Sequence, residues 1–206
     1  MKKTGLLGGT FNPVHSGHLI MANELLIKLK LDNIVFMPNN IPSHKKNLNS
    51  VAPGDMRLKM IKFAIEGNEK FEISDLELKS NEVSYTYNTL IKLKKNIRKD
   101  KLFFITGSDS IMFSRWFNLD GVLGLVDGFI SVLRPGTSEK DFYKAVERLK
   151  LKNVSKIKLL EVPVLDISSS EIRRRINKKI PIKYLVPEKV ENYIKKNNIY
   201  SGGDHH

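Results

Sequence analysis

Short apolar runs alternate with amphipathic segments along the whole chain. The apolar runs predict strands in TGLLGG, NIVFMP, KFEIS, KLFFITG, DGFISVLRPG and KIKLLEVPV. Between them, hydrophobic residues recur at the three- and four-residue spacing of a helix face, as they do at Leu19, Ala22, Leu25, Leu26 and Leu29. The pattern therefore predicts strands and helices that alternate from the first residues to the last.

This alternation favours parallel strands joined by right-handed crossovers. We expect an α/β fold with a Rossmann-like, doubly wound, mainly parallel sheet, helices on both faces and a small C-terminal helical part in SSEIRRRIN and PEKVENYIKK. Residues 1–200 are expected to form one domain, and 201–206, SGGDHH, a polar tail of the kind that a purification tag leaves. Because ligands of such sheets bind beyond the carboxyl ends of the strands, the loops that follow strands are the candidate sites.

Residues typical of helix ends refine these boundaries. Asp55 and Ser138 are candidate N-caps, and Gly67 is a candidate for the end of the helix that Asp55 begins. Pro187 suits the first turn of the last helix.

Composition narrows the chemistry. With 206 residues, 41% of them hydrophobic, the chain can bury a core without staples. The absence of cysteine excludes disulfides, thiolate metal sites and cysteine nucleophiles. No segment approaches the roughly 20 apolar residues of a membrane helix, and the first apolar run is broken too early for a secretion signal. We therefore expect a cytoplasmic protein with no membrane partner.

The net charge of +13 would permit binding to nucleic acid. The lysines, however, are spread among apolar residues as on solvated helix faces, and no aromatic residues interleave with a basic stripe. A positive field also suits small anionic substrates. We therefore expect small-molecule ligands rather than a nucleic-acid partner, and the sequence leaves the oligomeric state open.

The segment GGTFNPVHSGH, residues 8–18, follows the first predicted strand. Gly8 and Gly9 allow backbone to approach a ligand closely, and Gly17 and His18 are expected to open a helix whose free amides suit a phosphate. His15, three residues before His18, adds a second possible donor to phosphate oxygens. A zinc pair is less well supported because no third ligand has a suitable spacing. Structural donors in a tight glycine turn would also account for the segment.

The segment ISSSEIRRRI, residues 167–176, is the second candidate. Ser168 and Glu171 have the spacing of a capping box, which is one interpretation. Three successive serines and an arginine one turn later also form a second anion site. Because residues one apart do not share a helix face, only one of the three arginines is expected to face that site.

Both segments resemble signatures of the nucleotidyltransferases that carry a His-x-Gly-His motif, here residues 15–18. The second segment is similar to the Ile-Ser-Ser-Thr/Ser-x-Ile-Arg signature of the same superfamily. The resemblance implies that the two segments hold the phosphates of ATP during adenylyl transfer. The implied ATP-binding residues are Gly8, Gly9, Thr10, Phe11, His15, His18, Ser168, Ser169, Ser170 and Arg173.

Four further segments, MPNNIPSHKK, SYTYNTL, FFITGSDSIMFSRWF and YLVPEKVENYI, resemble the bacterial nicotinate-nucleotide adenylyltransferase family over almost the whole chain. That family joins ATP and nicotinate mononucleotide into deamido-NAD and pyrophosphate, a step of NAD biosynthesis. The resemblance implies that Trp116 stacks on the pyridine ring, that amides near Thr86 and Phe117 receive the nicotinate carboxylate, and that Asp109 contacts a ribose. The implied acceptor-binding residues are His44, Lys45, Thr86, Gly107, Asp109, Trp116, Phe117 and Arg134. Taken singly, Trp116 is also typical of a core residue and Gly-Ser-Asp of a turn.

The chain departs from the family pattern at three positions. Asn12 stands where aspartate is commoner, Ser43 replaces the second proline of a Pro-Pro-His-Lys run, and Asn88 replaces a usual aspartate. None of these changes removes a donor that the implied chemistry requires.

The sequence also lacks a G-x-S-x-G nucleophile elbow, which favours direct attack of the acceptor phosphate on ATP. The implied catalytic residues are His18, His15, Lys45 and Arg173, with Mg²⁺ arriving on ATP and no metal site on the protein. Three alternatives stay open: an adenylyltransferase for nicotinamide mononucleotide or phosphopantetheine, a basic nucleic-acid-binding module, and a regulatory protein that binds a nucleotide without turnover.

Overall fold

The computed structural model describes residues 1–40, 51–79, 85–96, 100–113, 116–134, 136–163 and 165–201. Within these ranges, strands and helices alternate in the predicted order. The elements are β1 (Lys3–Gly9), α1 (Ser16–Lys28), β2 (Asn33–Pro38), α2 (Gly54–Ile65), β3 (Phe71–Ile73), α3 (Thr86–Asn96), β4 (Lys101–Gly107), α4 (Ser108–Phe113), α5 (Leu119–Leu125), β5 (Gly128–Val132), α6 (Glu139–Arg148), β6 (Ile157–Leu160), α7 (Ser169–Asn177) and α8 (Glu188–Lys196).

The strands form one parallel sheet in the order β3-β2-β1-β4-β5-β6. This order confirms the Rossmann-like, doubly wound fold. The chain winds outward from β1 in one direction and from β4 in the other, so the strand order reverses between these two neighbours. Helices diverge from the sheet at this point and leave a crevice beyond the strand ends, where ligands of such folds bind.

Both faces of the sheet are covered, as the strand sequences require. Leu6 and Leu7 of β1 are both buried, but successive residues of a strand point to opposite faces. Leu7 packs in a cluster with residues of α1, α2 and α8, and Leu6 in a cluster with residues of α5 and α6. The C-terminal helix α8 thus shares the core of the first two helices, through Val190 and Ile194.

Three helix starts differ from prediction. Helix α1 begins at Ser16, with His15 rather than Gly17 at its boundary, and its first amide donates to a distant carbonyl, that of Leu185 (2.9 Å). Asp55 is not an N-cap, because Pro53 occupies that position and the carboxylate lies in the first turn, where it still complements the helix dipole. Pro187 likewise precedes α8 by one residue.

The other predicted end signals hold. The Ser138 hydroxyl accepts a hydrogen bond from the Asp141 amide (3.1 Å) at the start of α6. Gly67 follows α2 with a φ of +88°, a left-handed conformation that favours glycine.

The helices α4 and α5 were not predicted. Helix α4 follows β4 without an intervening residue, so the expected Gly-Ser-Asp turn is the first turn of a helix, and it is too short to show an apolar face. Helix α5 contains Gly121 and Gly124, which lower helix propensity, and it relies on a cap: the Asn118 side chain accepts from the Gly121 amide (3.0 Å).

Candidate active site

A cleft of about 540 Å³ opens beyond the carboxyl ends of β1 and β4, where the strand order reverses. Every site residue predicted from the sequence that the structure describes lines this cleft. These residues are Gly8, Gly9, Thr10, Phe11, His15, His18, Thr86, Gly107, Asp109, Trp116, Phe117, Arg134, Ser168, Ser169, Ser170 and Arg173. His44 and Lys45 lie outside the described residues.

The two histidines form a compact pair at the start of α1. Their ring centroids are 3.6 Å apart with an angle of 34° between the planes. The His15 backbone amide donates to Nδ1 of His18 (3.2 Å), and the Phe11 ring meets the His18 ring edge-on at 5.1 Å. The glycine between them matters for this packing, because a Cβ on Gly17 would lie 3.1 Å from Nδ1 of His15. With glycine at position 17, the first turn of α1 can pack directly against the His15 imidazole.

Both imidazoles are neutral near physiological pH. Burial, together with the nearby positive charge of Arg134, lowers the pKa of His15 to about 3. Burial, then His15, then Arg134 lower the pKa of His18 well below its ordinary value. Because Nδ1 of His18 accepts the His15 amide, the neutral ring carries its proton on Nε2. The pair is therefore suited to donate uncharged N–H groups to phosphate oxygens.

The second segment docks directly onto the first. The Ser169 hydroxyl donates to the Pro13 carbonyl (2.9 Å), and Nη1 of Arg173 donates to the Asn12 carbonyl (2.7 Å). Ser168 caps α7 by accepting from the Glu171 amide (3.1 Å). The N-termini of α1 and α7 thus open into the same end of the cleft, where free amides and helix dipoles favour an anion.

Only one of the three arginines faces the cleft, as predicted. The Glu171 carboxylate pairs with Arg174 (2.7 Å) and Arg175 (3.1 Å), and hydrogen bonding from Arg174 is the largest cause that lowers its pKa to about 2. That pairing draws two guanidinium groups to the outer face of α7 and leaves Arg173 for the cleft. One half of the predicted capping box is therefore confirmed, because Ser168 caps the helix. The Glu171 side chain pairs with the two arginines instead.

Aromatic side chains line the opposite end of the cleft. The indole N–H of Trp116 donates to the Ser110 carbonyl (2.9 Å), and the ring meets the Phe129 ring edge-on, with the centroids 5.3 Å apart. These contacts fix one side of Trp116 in the core while the residue also lines the cleft. The Tyr85 and Phe117 rings lie 4.7 Å apart beside it.

An ion pair lines the cleft beside the end of β4. Nε of Arg134 is 3.4 Å from Oδ1 of Asp109, and both side chains are about half exposed, at 46% and 50%. Gly107 lies directly beneath this pair. A Cβ at Gly107 would lie 2.3 Å from Oδ1 of Asp109 and 2.6 Å from Nε of Arg134, so only glycine leaves room for it.

Sequence reasoning missed a fully buried arginine behind the site. Nε of Arg57 donates to the Ala52 carbonyl (2.9 Å), and Nη1 donates to the carbonyls of Thr10 (2.8 Å) and Asn39 (2.8 Å). A signal for it existed: Arg57 lies three and four residues before Met60 and Ile61, on the apolar face of α2. Its guanidinium joins the loops after β1 and β2 to the start of α2.

The described part of the chain contains no group of three or more histidine, aspartate or glutamate side chains placed to hold a metal ion. The donors facing the cleft are neutral imidazoles, hydroxyls, amides and guanidinium groups, which suit the oxygens of a nucleotide. None of the described helices is long and apolar enough to cross a membrane.

A cleft at the switch point, flanked by two helix N-termini, is typical of α/β proteins that bind nucleotides. Comparison with known proteins agrees. A family model described as cytidylyltransferase-like matches residues 6–175. The probable nicotinate-nucleotide adenylyltransferase of Clostridium novyi (strain NT) is 43% identical over 97% of this chain and 100% of its own length. The nicotinate-nucleotide adenylyltransferase of Bacillus subtilis (strain 168) is 40% identical over 97% of this chain and 99% of its own.

A solved structure, Plasmodium falciparum nicotinic acid mononucleotide adenylyltransferase complexed with NaAD, matches the fold with a TM-score of 0.77 at 23% identity. It covers 97% of this chain and 98% of its own. The chain belongs to the cytidylyltransferase-like family and, within it, to the nicotinate-nucleotide adenylyltransferases.

Proposed function

We propose that this protein transfers the adenylyl group of ATP to nicotinate mononucleotide, giving deamido-NAD and pyrophosphate. The observation that carries the proposal is the contact between two segments that are far apart along the chain. Ser169 bonds to Pro13, 156 residues away, and Arg173 bonds to Asn12, 161 residues away. They create one phosphate-binding end in a cleft whose other end is aromatic. Relatives at 40 to 43% identity that carry the name of this activity support it.

At the phosphate end, we assign His18 to the α-phosphate of ATP. Its Nε2–H is an uncharged donor on a residue that lines the cleft, the kind of group that stabilises charge as it develops in a transition state. His15 supports the same phosphate, and Arg173 with Ser168, Ser169 and Ser170 binds the β- and γ-phosphates. We also assign Gly8, Gly9, Thr10 and Phe11 to ATP binding, because all four line the cleft.

At the aromatic end, Trp116 stacks on the pyridine ring, and amides near Thr86 and Phe117 receive the carboxylate. Thr86 begins α3, whose first amides have no partner within the helix. A carboxylate accepts at both oxygens, whereas a carboxamide would turn an NH₂ group toward a donor and leave it unpaired, which disfavours the amide. We assign Gly107, Asp109 and Arg134 to the ribose and phosphate of nicotinate mononucleotide, because all three line the same cleft.

The chemistry needs no covalent intermediate on the protein. A phosphate oxygen of nicotinate mononucleotide forms a bond to the α-phosphorus of ATP as the bond to the bridging β-phosphate oxygen breaks, and pyrophosphate leaves with that electron pair. The residues above position both substrates and stabilise the charge. Mg²⁺, bound by phosphates and water rather than by a protein cage, would supply further neutralisation of the phosphates.

Two assignments come from the sequence alone. His44 and Lys45, outside the described residues, are proposed to contact the acceptor, and Lys45 also the phosphates. A cytoplasmic location and the absence of a nucleic-acid partner are proposed on the same basis.

The test is pyrophosphate release from ATP and Mg²⁺, with nicotinate mononucleotide, nicotinamide mononucleotide and phosphopantetheine compared at equal concentrations. The first two acceptors differ in a single group and so form a matched pair. We expect a strong preference for the nicotinate form. Release with another acceptor would overturn the assignments at the aromatic end, and release with none would leave a nucleotide-binding protein without this activity. Tight, steeply salt-dependent binding of DNA or RNA without ATP would favour the nucleic-acid alternative.

A further inference from the structure

Asn12 is the centre of a hydrogen-bond network behind the phosphate end of the cleft. The residue is buried, and its side-chain oxygen accepts from the Ala52 amide (2.9 Å) and from the Tyr200 hydroxyl (2.7 Å). Its backbone carbonyl accepts from Nη1 of Arg173 (2.7 Å). Asn12 therefore connects an arginine that faces the cleft with a phenol from the far end of the chain.

Tyr200 does not line the cleft. It follows α8 and reaches Asn12 across 188 positions of sequence. Burial raises the pKa of its phenol well above the ordinary value, although the positive charges of Arg173 and Arg57 act in the opposite direction. The hydroxyl thus stays protonated and remains a donor to Asn12 at any physiological pH.

The same C-terminal region contacts the segment of residues 8–18 at a second point. The Ser16 amide donates to the Leu185 carbonyl (2.9 Å), and the Ser16 hydroxyl donates to the Tyr184 carbonyl (3.0 Å). Residues 184–200 therefore hydrogen-bond to the segment of residues 8–18 on both sides of His15, at Asn12 and at Ser16. Of these contacts, that of Tyr200 is made to Asn12, whose carbonyl holds Arg173.

We propose that Tyr200 is a positioning residue for the ATP site, whose hydroxyl orients Asn12 so that the Asn12 carbonyl holds the Arg173 guanidinium toward the phosphates. The naming of ATP as the ligand rests on the proposed function. Tyr200 touches neither substrate, and its effect passes through Asn12 to Arg173.

The test compares Tyr200→Phe, which deletes one oxygen, with Tyr193→Phe, which deletes the same atom from α8, where the ring packs on Phe63 at 5.5 Å. The dissociation constant for ATP is measured by calorimetry without acceptor, and KM for each substrate by pyrophosphate release. For Tyr200→Phe we expect ATP binding to weaken about fivefold to tenfold, the size of one lost hydrogen bond. KM for nicotinate mononucleotide should change by less than about twofold, because the aromatic end is untouched.

A double-mutant cycle separates positioning from general stability. If Tyr200 acts through Arg173, the effect of Tyr200→Phe on ATP affinity should disappear in an Arg173→Ala background. Equal losses in both backgrounds, parallel loss of affinity for both substrates, or no difference from Tyr193→Phe would each overturn the proposal. A wild-type protein that binds ATP but transfers nothing would refute the proposed function alone, since the calorimetric comparison would still be decisive for Tyr200. A wild type that does not bind ATP would refute both.

Discussion

A methyl group placed at Gly107 tests whether the ion pair above it positions the acceptor. In Gly107→Ala, the new Cβ would lie 2.3 Å from Oδ1 of Asp109 and 2.6 Å from Nε of Arg134. Neither contact is possible, so both side chains must turn away. The backbone of Gly107 ends β4 and has no left-handed φ that would add strain.

The magnitude follows from how exposed the two partners are. Side chains that are 46% and 50% exposed turn outward into water at little cost, and an ion pair of this kind contributes at most about 1 kcal/mol. A loss of that size lowers the melting temperature of a domain this long by roughly 2–4 °C. The groups that would contact the ribose and phosphate of the acceptor, however, are displaced. We expect KM for nicotinate mononucleotide to rise about tenfold, or about 1.4 kcal/mol, with KM for ATP changed by less than about twofold.

Steady-state kinetics with each substrate varied in turn, together with thermal unfolding, would measure both effects. Gly124→Ala is the matched control, because a Cβ at this exposed position of α5 meets nothing within 4 Å. It should leave both KM values unchanged and stabilise the helix by up to about 1 kcal/mol. Unchanged acceptor KM in Gly107→Ala would show that the Asp109–Arg134 pair has no part in binding the acceptor. A large fall in melting temperature would show that the pair cannot turn away freely.

Three further predictions concern the buried groups around the phosphate end. His18→Ala should lower kcat on the order of a hundredfold at saturating substrates, and near-normal turnover would contradict its assigned role. Arg57→Met leaves the carbonyls of Thr10 and Asn39 without their buried donor and should cost about 3 kcal/mol or more in urea unfolding, whereas Lys189→Met, in an exposed ion pair, should cost less than about 1 kcal/mol. Folding lowers the pKa of His15 from 6.5 to about 3. Between these pH values the unfolded chain binds a proton at His15 and the folded chain does not, so the free energy of unfolding decreases as the pH falls through this range. His15→Gln should flatten that loss in melting temperature, and an unchanged slope would show that His15 titrates normally.

The parts of this molecule that depend on local pattern were predictable. The inner strands of the sheet contain apolar runs because both faces are covered there, and β5 is buried at every residue. The edge strands β3 and β6 are less buried, and each exposes one charged residue, Glu72 and Lys158. The two candidate phosphate-binding segments could be recognised because glycine, serine and histidine, when they occur together at a helix start, are typical of phosphate binding. Their meeting at one cleft agrees with the rule that parallel strands bring their carboxyl ends to one edge, since each segment follows a strand of the sheet.

The supporting residues could not be predicted in the same way, because their partners are backbone groups far along the chain. Arg57 donates to backbone carbonyl oxygens, which every residue carries, so no side-chain pattern predicts its hydrogen-bond partners. Tyr200 lies in a short segment whose role depends on where α8 packs. The space requirement at Gly107 likewise arises from a contact with Arg134 on another strand end. Such residues become visible only once tertiary distances are known.

The positive charge of the cleft comes from a few specific side chains rather than from the high net charge of the chain. The stacked histidines sit where burial and Arg134 keep them neutral, so they add donors without adding charge. Positive charge comes instead from Arg173 at one end and Arg134 toward the other, each held by a specific oxygen atom, at 2.7 Å and 3.4 Å. A phosphate chain that spans these arginines would therefore pass the imidazole pair at its middle, where an uncharged Nε2–H can strengthen its hydrogen bond as negative charge builds on the reacting phosphate.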